Sequence, residues 1–240
     1  STLQLACEAI KAAVEDAGLA MDDIDGIVKY TMDPNDEITL VNALGLSDLN
    51  FFAECPHGGG ACVPTVMHAA AAVATGVAKN VVCFRSMNEF SGRRYGRLGE
   101  ELVEGGVIRA RNRQDGYLSP YGYTSPVSWV AMFAQRYMHQ YGATREHLGW
   151  VSLTCRENAQ KNPNAMFYGK PLTMEDYLNV RMIVEPFCLY DCCLDSDGAV
   201  AVIVTSAERA KDLKQQPAYI LAVTEATATD GESMTSLHRP

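Results

Sequence analysis

The sequence predicts an α/β fold with a mostly parallel sheet, and three observations carry this prediction. Short apolar, β-branched runs alternate with segments in which apolar residues recur at helical spacing. The runs 81–84 and 199–205 contain almost no polar residue, which is typical of strands covered on both faces. Residues 63–75 are almost all small and apolar, which predicts a central helix buried on every side. Strands that alternate with helices favour parallel pairing, with helices on both faces of the sheet.

The elements before this central helix follow from residue spacing and from punctuating glycines. Apolar residues over 3–17 recur at helical spacing, and Gly18 ends the predicted helix. A strand is predicted over 26–30, a short helix over 38–44 and a second strand over 51–54. Because no strand precedes the first helix in an otherwise alternating chain, we expect the domain to begin upstream of this sequence.

Three consecutive glycines, Gly58, Gly59 and Gly60, stand between the predicted strand and the central helix. Glycine lets the backbone turn sharply and approach another group closely. The unpaired N–H groups and the dipole at a helix N-terminus both favour negative charge there. The triplet is therefore a candidate oxyanion loop, while a core helix with a tight entry turn explains the same residues equally well.

A long polar segment follows the predicted strand at 81–84. It contains Arg93 and Arg94, which lie between two glycines. Long irregular segments in compact proteins are usually functional or mobile. Arg93 and Arg94 are candidates for binding ligand phosphates, because a guanidinium group matches phosphate oxygens, and the alternative is a solvated surface.

The second half of the chain returns to alternating elements. Helices are predicted over 127–141, 148–158 and 207–213, a loop over 162–173, and strands over 199–205 and 219–223. Thr173 and Asp176 have the spacing of a capping box at the start of a further helix.

Composition narrows the classes of function. The formal net charge is −9, which argues against a nucleic-acid partner but not against an anionic ligand held by a local basic patch. No apolar run reaches the roughly 20 residues needed to cross a bilayer, and we expect a cytoplasmic protein. The eight cysteines show no zinc-site spacing, and we expect them to be reduced thiols.

The order of these segments resembles a known family. The loop, alanine-rich helix, glycine and apolar strand between Gly58 and Phe84 resemble the nucleophile region of thiolases. The segments 162–173, 181–186 and 191–199 resemble the sterol-carrier-protein and lipid-transfer-protein branch of that superfamily. The resemblance implies a thiolase-like layered fold with a buried central helix and a loop domain. It covers nearly the whole chain but only the N-terminal half of a typical thiolase.

The resemblance also implies a division of the chain into domains. Residues 1–90 and 186–215 correspond to the N-terminal thiolase core, which is split by a loop domain at 91–185. Residues 216–240 correspond to the start of the C-terminal domain.

One departure from the thiolase pattern determines the functional prediction. Thiolases place a nucleophilic cysteine at the N-terminus of the buried helix, and the family spacing aligns that place with Gly59. Glycine in place of the nucleophilic cysteine, together with segments 56–60 and 91–96, makes the sequence resemble the lipid-transfer-type homologues. These homologues include retro-aldolases of bacterial steroid side-chain degradation. The resemblance implies cleavage of a β-hydroxyacyl-CoA into a ketone and a shorter acyl-CoA. Coenzyme A is then part of the substrate, and no covalently bound cofactor or metal is expected.

Several residues are candidates for the chemistry. His57, beside the glycine triplet, and His238, near the end of the sequence, are candidate acid/base groups. Tyr123 is a candidate catalytic tyrosine, and Tyr121 a candidate for lining the acyl pocket. A structural or surface role is the alternative for each of these four side chains.

Two other functions fit the same sequence. A thiolase or acyltransferase could use Cys62 or Cys55, if the loop shifts the register of the nucleophile. A non-catalytic acyl-CoA-binding or lipid-binding subunit would need neither cysteine. The resemblance further implies a homodimer and a partner protein with an acyl-CoA-binding OB fold.

Overall fold

The structure is a computed structural model that describes residues 1–31, 33–55, 62–92, 103–104, 107–108, 119–123 and 125–225. The chain divides into two compact units. Unit 1 contains Ser1–Arg93 and Ser196–Thr227, and unit 2 contains Arg94–Asp195 and Ala228–Pro240. The predicted domain boundaries at 90, 186 and 216 stay predictions.

Helices and strands alternate along unit 1, whereas most of the regular secondary structure described in unit 2 is helical. The described helices are α1 (Thr2–Ala17), α2 (Glu37–Leu44), α3 (Cys62–Ala74), α4 (Pro126–Tyr141), α5 (Arg145–Ala159), α6 (Met174–Asn179) and α7 (Ala207–Ala210). The described strands are β1 (Gly26–Tyr30), β2 (Phe51–Cys55), β3 (Asn80–Asn88), β4 (Val103–Glu104), β5 (Val107–Ile108), β6 (Met182–Val184), β7 (Phe187–Cys188) and β8 (Asp197–Thr205).

The sheet of unit 1 is mostly parallel, as the sequence predicts. Its strand order is β2-β1-β3-β8, and β1 runs parallel to both β2 and β3. Strand β8 is antiparallel to β3, with Asn88 opposite Asp197 and Asn80 opposite Thr205. The chain therefore leaves the sheet at the end of β3 and returns to it at the start of β8, directly beside that end. The sequence does not reveal this direction, because a strand buried on both faces has the same composition in either orientation.

Two apolar layers cover the faces of this sheet. On one face, Ile27 and Val82 pack with the buried residues of α1 and α2. On the other face, Val28 and Val81 pack with Ala69 and other residues of α3. Alternate side chains of a strand point to opposite faces, so both faces of β1 and β3 are apolar. This arrangement explains the uninterrupted apolar run at 81–84.

Helix α3 differs from its prediction. Pro64, Thr65, Ala69 and Ala72 are buried, whereas Val63 is 61% exposed. The prediction that this helix is buried on every side is therefore wrong for the described structure. The sheet covers only one face of α3, and small residues along that face allow the helix to pack closely against the strands.

The described part of unit 2 contains the helices α4, α5 and α6 and two short antiparallel strand pairs. Helix α6 begins with the predicted capping box, in which Thr173 Oγ1 accepts from Asp176 N at 3.1 Å and Asp176 Oδ2 accepts from Thr173 N. Strands β6 and β7 pair antiparallel. Tyr177 of α6 is fully buried and donates through its hydroxyl to both carboxylate oxygens of Asp191, at 2.8 and 2.9 Å. The predicted loop at 162–173 contains no helix or strand.

The end of the described chain differs from its prediction. Residues 219–223 have no regular secondary structure, so the predicted strand there is wrong, and α7 is shorter than the predicted helix at 207–213. A strand needs a neighbour that accepts its backbone hydrogen bonds, and no described strand pairs with these residues. Leu221 is 96% exposed, so its apolar side chain lies outside the core of the described structure. No helix in the described ranges is long and apolar enough to cross a membrane.

Candidate functional site

A pocket of about 620 Å³ lies in unit 1 at the N-terminal end of α3. We call it the α3 pocket; residues that line it include Tyr30, Cys62, Thr65, Arg85, Met87 and Val200. Strands β1 and β3 are parallel and contribute their carboxyl-terminal ends, and ligands of open α/β sheets bind outside those ends. Most of the lining is apolar, which suits an acyl chain better than a fully polar ligand.

A larger cavity of about 850 Å³ lies elsewhere in unit 1, between β8, α7 and the side of α3. Its described lining contains no cysteine, histidine, lysine or arginine. Such a lining offers neither a thiol nor a cation. The α3 pocket is therefore the better candidate for chemistry.

Cys62 is the first residue of α3 and is exposed in the α3 pocket. Its backbone carbonyl accepts a hydrogen bond of 2.6 Å from Thr65 Oγ1, which ties the first turn of the helix together. A thiol at this position is what the acyltransferase alternative requires. That alternative therefore needs a direct test.

Cys55 has a different environment, at the end of β2. It is fully buried, and burial raises the pKa of its thiol, with a smaller contribution from the Glu225 carboxylate. Both effects disfavour the thiolate, which is the nucleophilic form. Cys83 is a core thiol as well: it donates to Thr65 O at 3.4 Å, and burial raises its pKa to about 12.

Arg85 is a pocket residue that sequence reasoning missed. Its guanidinium carbon lies 4.3 Å from the centroid of the Tyr30 ring, and Nη2 donates to Met87 Sδ at 2.9 Å. Its Nη1 is buried and has no hydrogen-bond partner among the described residues. The one sequence feature that could have indicated it is its position, because Arg85 is a charged residue that directly follows the buried run at 81–84.

A buried polar cluster lies at the same end of the sheet, where Lys29 meets the loop after β1. Lys29 Nζ contacts Glu54 Oε1 at 2.7 Å and donates to Asn35 O at 2.8 Å. Asp33 accepts from Asn35 Nδ2 at 2.7 Å and from Ser86 N at 2.6 Å. Paired and hydrogen-bonded in this way, the buried charges hold the ends of β1, β2 and β3 together.

The other predicted site residues are only partly described. His57, Gly58, Gly59, Gly60, Arg93, Arg94 and His238 lie outside the described residues. Tyr121 and Tyr123 belong to unit 2, where Tyr121 is 89% exposed. Tyr123 is half-buried, its hydroxyl has no partner, and burial raises its pKa. Of the predicted site residues, the structure therefore brings Cys62 into the α3 pocket and places the two tyrosines in unit 2.

No group of three histidine, cysteine, aspartate or glutamate side chains in the described ranges is arranged to hold a metal ion. The acidic and thiol groups of the α3 pocket, including Glu89 and Cys62, do not form such a cluster.

Comparison with known proteins gives relatives along the full length of the chain. No family model matches. The chain is 48% identical over its whole length to a steroid side-chain-cleaving aldolase of Thermomonospora curvata, covering 61% of that protein. It is also 48% identical to a 17-hydroxy-3-oxo-4-pregnene-20-carboxyl-CoA lyase of Mycobacterium tuberculosis, covering 62% of that protein. The chain thus spans about three fifths of the length of these relatives.

Solved structures agree with this relationship. A structure described as an Ltp2-ChsH2(DUF35) aldolase matches the whole chain with 46% identity and a TM-score of 0.86, and the chain covers 59% of it. A monomeric SCP2-thiolase-like protein of Mycobacterium smegmatis matches 89% of the chain at 20% identity with a TM-score of 0.62, which supports the fold alone. The predicted thiolase-like α/β fold is confirmed. The predicted resemblance to the sterol-carrier-protein and lipid-transfer-protein branch of the thiolase superfamily is confirmed by these relatives and by sterol carrier protein 2 of Gallus gallus, which matches 56% of the chain at 26% identity.

Proposed function

We propose that the protein to which this chain belongs is a retro-aldolase that cleaves a β-hydroxyacyl-CoA into a ketone and a shorter acyl-CoA. The observation that carries the proposal is the full-length likeness, at 46–48% identity, to proteins named as aldolases or as a carboxyl-CoA lyase. Their names point to a CoA thioester of a steroid side chain as the substrate class. Coenzyme A enters as part of that substrate.

The reaction needs one base and one site that accepts negative charge. The base removes the proton from the β-hydroxyl, the oxygen forms the ketone carbonyl, and the bond between Cα and Cβ breaks. The electron pair of that bond moves into the thioester to give its enolate, which then takes a proton at Cα and leaves as the shorter acyl-CoA. No acyl group is transferred to the protein, so the reaction needs no cysteine.

The residues proposed for these roles are those that the sequence predicts. Gly58, Gly59 and Gly60 are the proposed oxyanion loop, because backbone N–H groups beside a helix N-terminus stabilise an enolate oxygen. His57, Tyr123 and His238 are the proposed acid/base groups. Arg93, Arg94 and Tyr121 are the proposed substrate-binding residues.

The mostly apolar α3 pocket suits a bulky acyl group, since its described lining includes Val66, Val200 and Val202. The proposed assembly is a homodimer with an acyl-CoA-binding OB-fold partner, and its proposed compartment is the cytoplasm. The partner is supported by the similar aldolase structure, whose description names a second component, ChsH2(DUF35).

An acyltransferase is the second candidate, and a specific observation favours it. Cys62 is exposed at the first residue of α3, within the pocket. A thiol there has the position at a helix N-terminus that a cysteine nucleophile would need. This reaction would form an acyl-enzyme at Cys62, whereas the retro-aldol reaction forms none.

The experiment uses the complete protein with its copurified partner and a steroid β-hydroxyacyl-CoA. The retro-aldolase releases one ketone for each shorter acyl-CoA formed, without free coenzyme A as a co-substrate. An acyltransferase that uses Cys62 does not cleave this substrate, because its β-carbon carries a hydroxyl and no carbonyl for the thiol to attack, and so it releases no ketone. Absence of ketone from every β-hydroxyacyl-CoA tested would remove the retro-aldolase proposal.

A further inference from the structure

The α3 pocket contains a positive charge that no described carboxylate neutralises. Arg85 is the one lysine or arginine among the described residues that line the pocket. Glu89 and Asp197 also line it, but neither forms an ion pair with Arg85. The Asp197 carboxylate instead accepts from the backbone N–H groups of Phe90 and Ser91, at 2.9 and 3.1 Å.

Among the described residues, the contacts of the Arg85 guanidinium leave most of its hydrogen-bonding capacity unused. A guanidinium group has five N–H donors, and a thioether sulfur such as Met87 Sδ is a weak acceptor. The ring of Tyr30 covers the guanidinium at 4.3 Å without taking a conventional hydrogen bond. Nη1 is buried and has no partner. Leaving a buried charged donor unsatisfied is costly, so an anionic acceptor at this place would be bound strongly.

The backbone of Arg85 lies at the end of the sheet where the α3 pocket is found. Arg85 lies opposite Val200 of β8, and one residue beyond the pairing of Lys29 with Phe84 at the end of β1. The first turn of α3, with Cys62 and Thr65, lines the same pocket. The guanidinium and the N-terminal end of the helix therefore favour negative charge in one volume of about 620 Å³.

We propose that Arg85 is the anion-binding residue of the α3 pocket and that its ligand is an oxyanion of a CoA thioester. Naming the thioester rests on the proposed function. Two oxyanions of this ligand have the required chemistry. One is the thioester oxygen that gains the electron pair when the bond between Cα and Cβ breaks, and the other is a phosphate of coenzyme A. Arg85 donates N–H hydrogen bonds to that oxygen and transfers no proton.

The test compares four variants in the complete protein with its partner. Arg85→Met removes the charge and keeps much of the length of the side chain, and Arg85→Lys keeps the charge. Arg85→Gln is a second neutral variant, in case the methionine variant does not fold. Arg209→Met is the matched control, because Arg209 is an exposed residue of α7 outside the lining of the pocket.

Two readouts distinguish the two sources of the oxyanion. Steady-state kinetics give kcat and KM for a β-hydroxyacyl-CoA, and calorimetry gives Kd for free coenzyme A and for an acyl-CoA that lacks the β-hydroxyl. If the ligand is the thioester oxygen, Arg85→Met lowers kcat by about 10²–10³-fold and leaves both Kd values within about twofold. If the ligand is a phosphate, both Kd values rise by about 30-fold and kcat changes little. In either case Arg85→Lys recovers at least part of the loss.

Kinetic constants and Kd values of Arg85→Met and Arg85→Gln that match those of Arg209→Met would overturn the proposal. If the wild-type protein releases no ketone, the retro-aldolase function fails, and calorimetry alone then decides the role of Arg85. Unchanged Kd values would then overturn the proposal, and weakened binding of coenzyme A would support the phosphate.

Discussion

The ammonium group of Lys29 lies 2.7 Å from Oε1 of Glu54, across the pairing of β1 with β2. The lysine side chain is buried, whereas that of Glu54 is 40% exposed. Lys29 also donates to the carbonyl oxygens of Asn35 and Asp33, at 2.8 and 3.4 Å. Glu54 precedes the glycine triplet by four residues, so this contact fixes the strand end from which the proposed oxyanion loop departs.

The first prediction concerns Lys29. Lys29→Met preserves the apolar stem but leaves two backbone carbonyls without their donor, so the free energy of unfolding is expected to fall by about 1–3 kcal/mol. Chemical denaturation measures the loss. Lys161→Met is the control, since Lys161 and Glu157 form an exposed pair worth about 0.5 kcal/mol or less. Equal losses for the two variants would contradict the structural role of Lys29.

A graded loss of stability is expected around Asp33, which is buried and accepts four hydrogen bonds from Asn35 and Ser86. Asp33→Ala leaves those donors unsatisfied, and unfolding should become easier by about 3 kcal/mol or more. Ser86→Ala removes only the hydroxyl and should cost about 1 kcal/mol, because the backbone N–H of residue 86 keeps its bond to Asp33. Chemical denaturation of both variants measures the two losses. A larger loss for Ser86→Ala than for Asp33→Ala would contradict the central position of Asp33 in this hydrogen-bonded cluster.

Helix packing in unit 2 gives a third prediction, at Gly149 of α5. A Cβ atom there would lie 2.8 Å from Met174 Sδ and 2.9 Å from Cδ1 of the buried Tyr177. Alanine favours a helix by about 1 kcal/mol over glycine, whereas overpacking costs about 1–3 kcal/mol. Gly149→Ala should therefore lower the thermal stability. Gly198→Ala is the comparison, because nothing lies within 4 Å of its Cβ position, and it should not lower stability. A more stable Gly149→Ala protein would show that α5 and α6 are not in close contact.

The fourth prediction concerns pH and the cap of α2. Asp36 Oδ1 accepts from Thr39 N at 2.7 Å, and this hydrogen bond is the main reason that the pKa of Asp36 is lowered. A lowered folded-state pKa means that the carboxylate contributes stability above its unfolded pKa, and that this stability is lost as pH falls through the folded pKa. The stability advantage of wild type over Asp36→Asn should therefore shrink as the pH is lowered from about 5 to about 3. An advantage that stays constant over that range would contradict the assignment of the cap.

Much of unit 1 follows from its sequence pattern, because its signals are local. Apolar residues at helical spacing predict α1, and Gly18, with a φ of 76°, ends it as expected. The apolar run of β3 follows from burial on both faces. The antiparallel direction of β8 and the exposed face of α3 depend on long-range pairing and packing, which no local pattern encodes.

The candidate site was only partly predictable for the same reason. The glycine triplet and Cys62 stand out because helix N-termini have recognisable chemistry. Arg85 does not belong to any motif, and its unpaired charge becomes evident only when Tyr30, Met87 and Val200 are seen around it. The contact between Lys29 and Glu54 could not be predicted from the sequence either, because it depends on the pairing of β1 with β2.

The most direct test of the account is the reaction of the Cys62→Ser variant of the complete protein with a β-hydroxyacyl-CoA. Cys62 is the exposed thiol at the first residue of α3, and a retro-aldol reaction requires no covalent bond to it. We predict that ketone release by the variant stays within about threefold of wild type, and that intact-mass spectrometry of quenched wild type detects no acyl adduct. Loss of ketone release in the variant, together with an acyl adduct on Cys62 in wild type, would contradict the account and establish covalent catalysis.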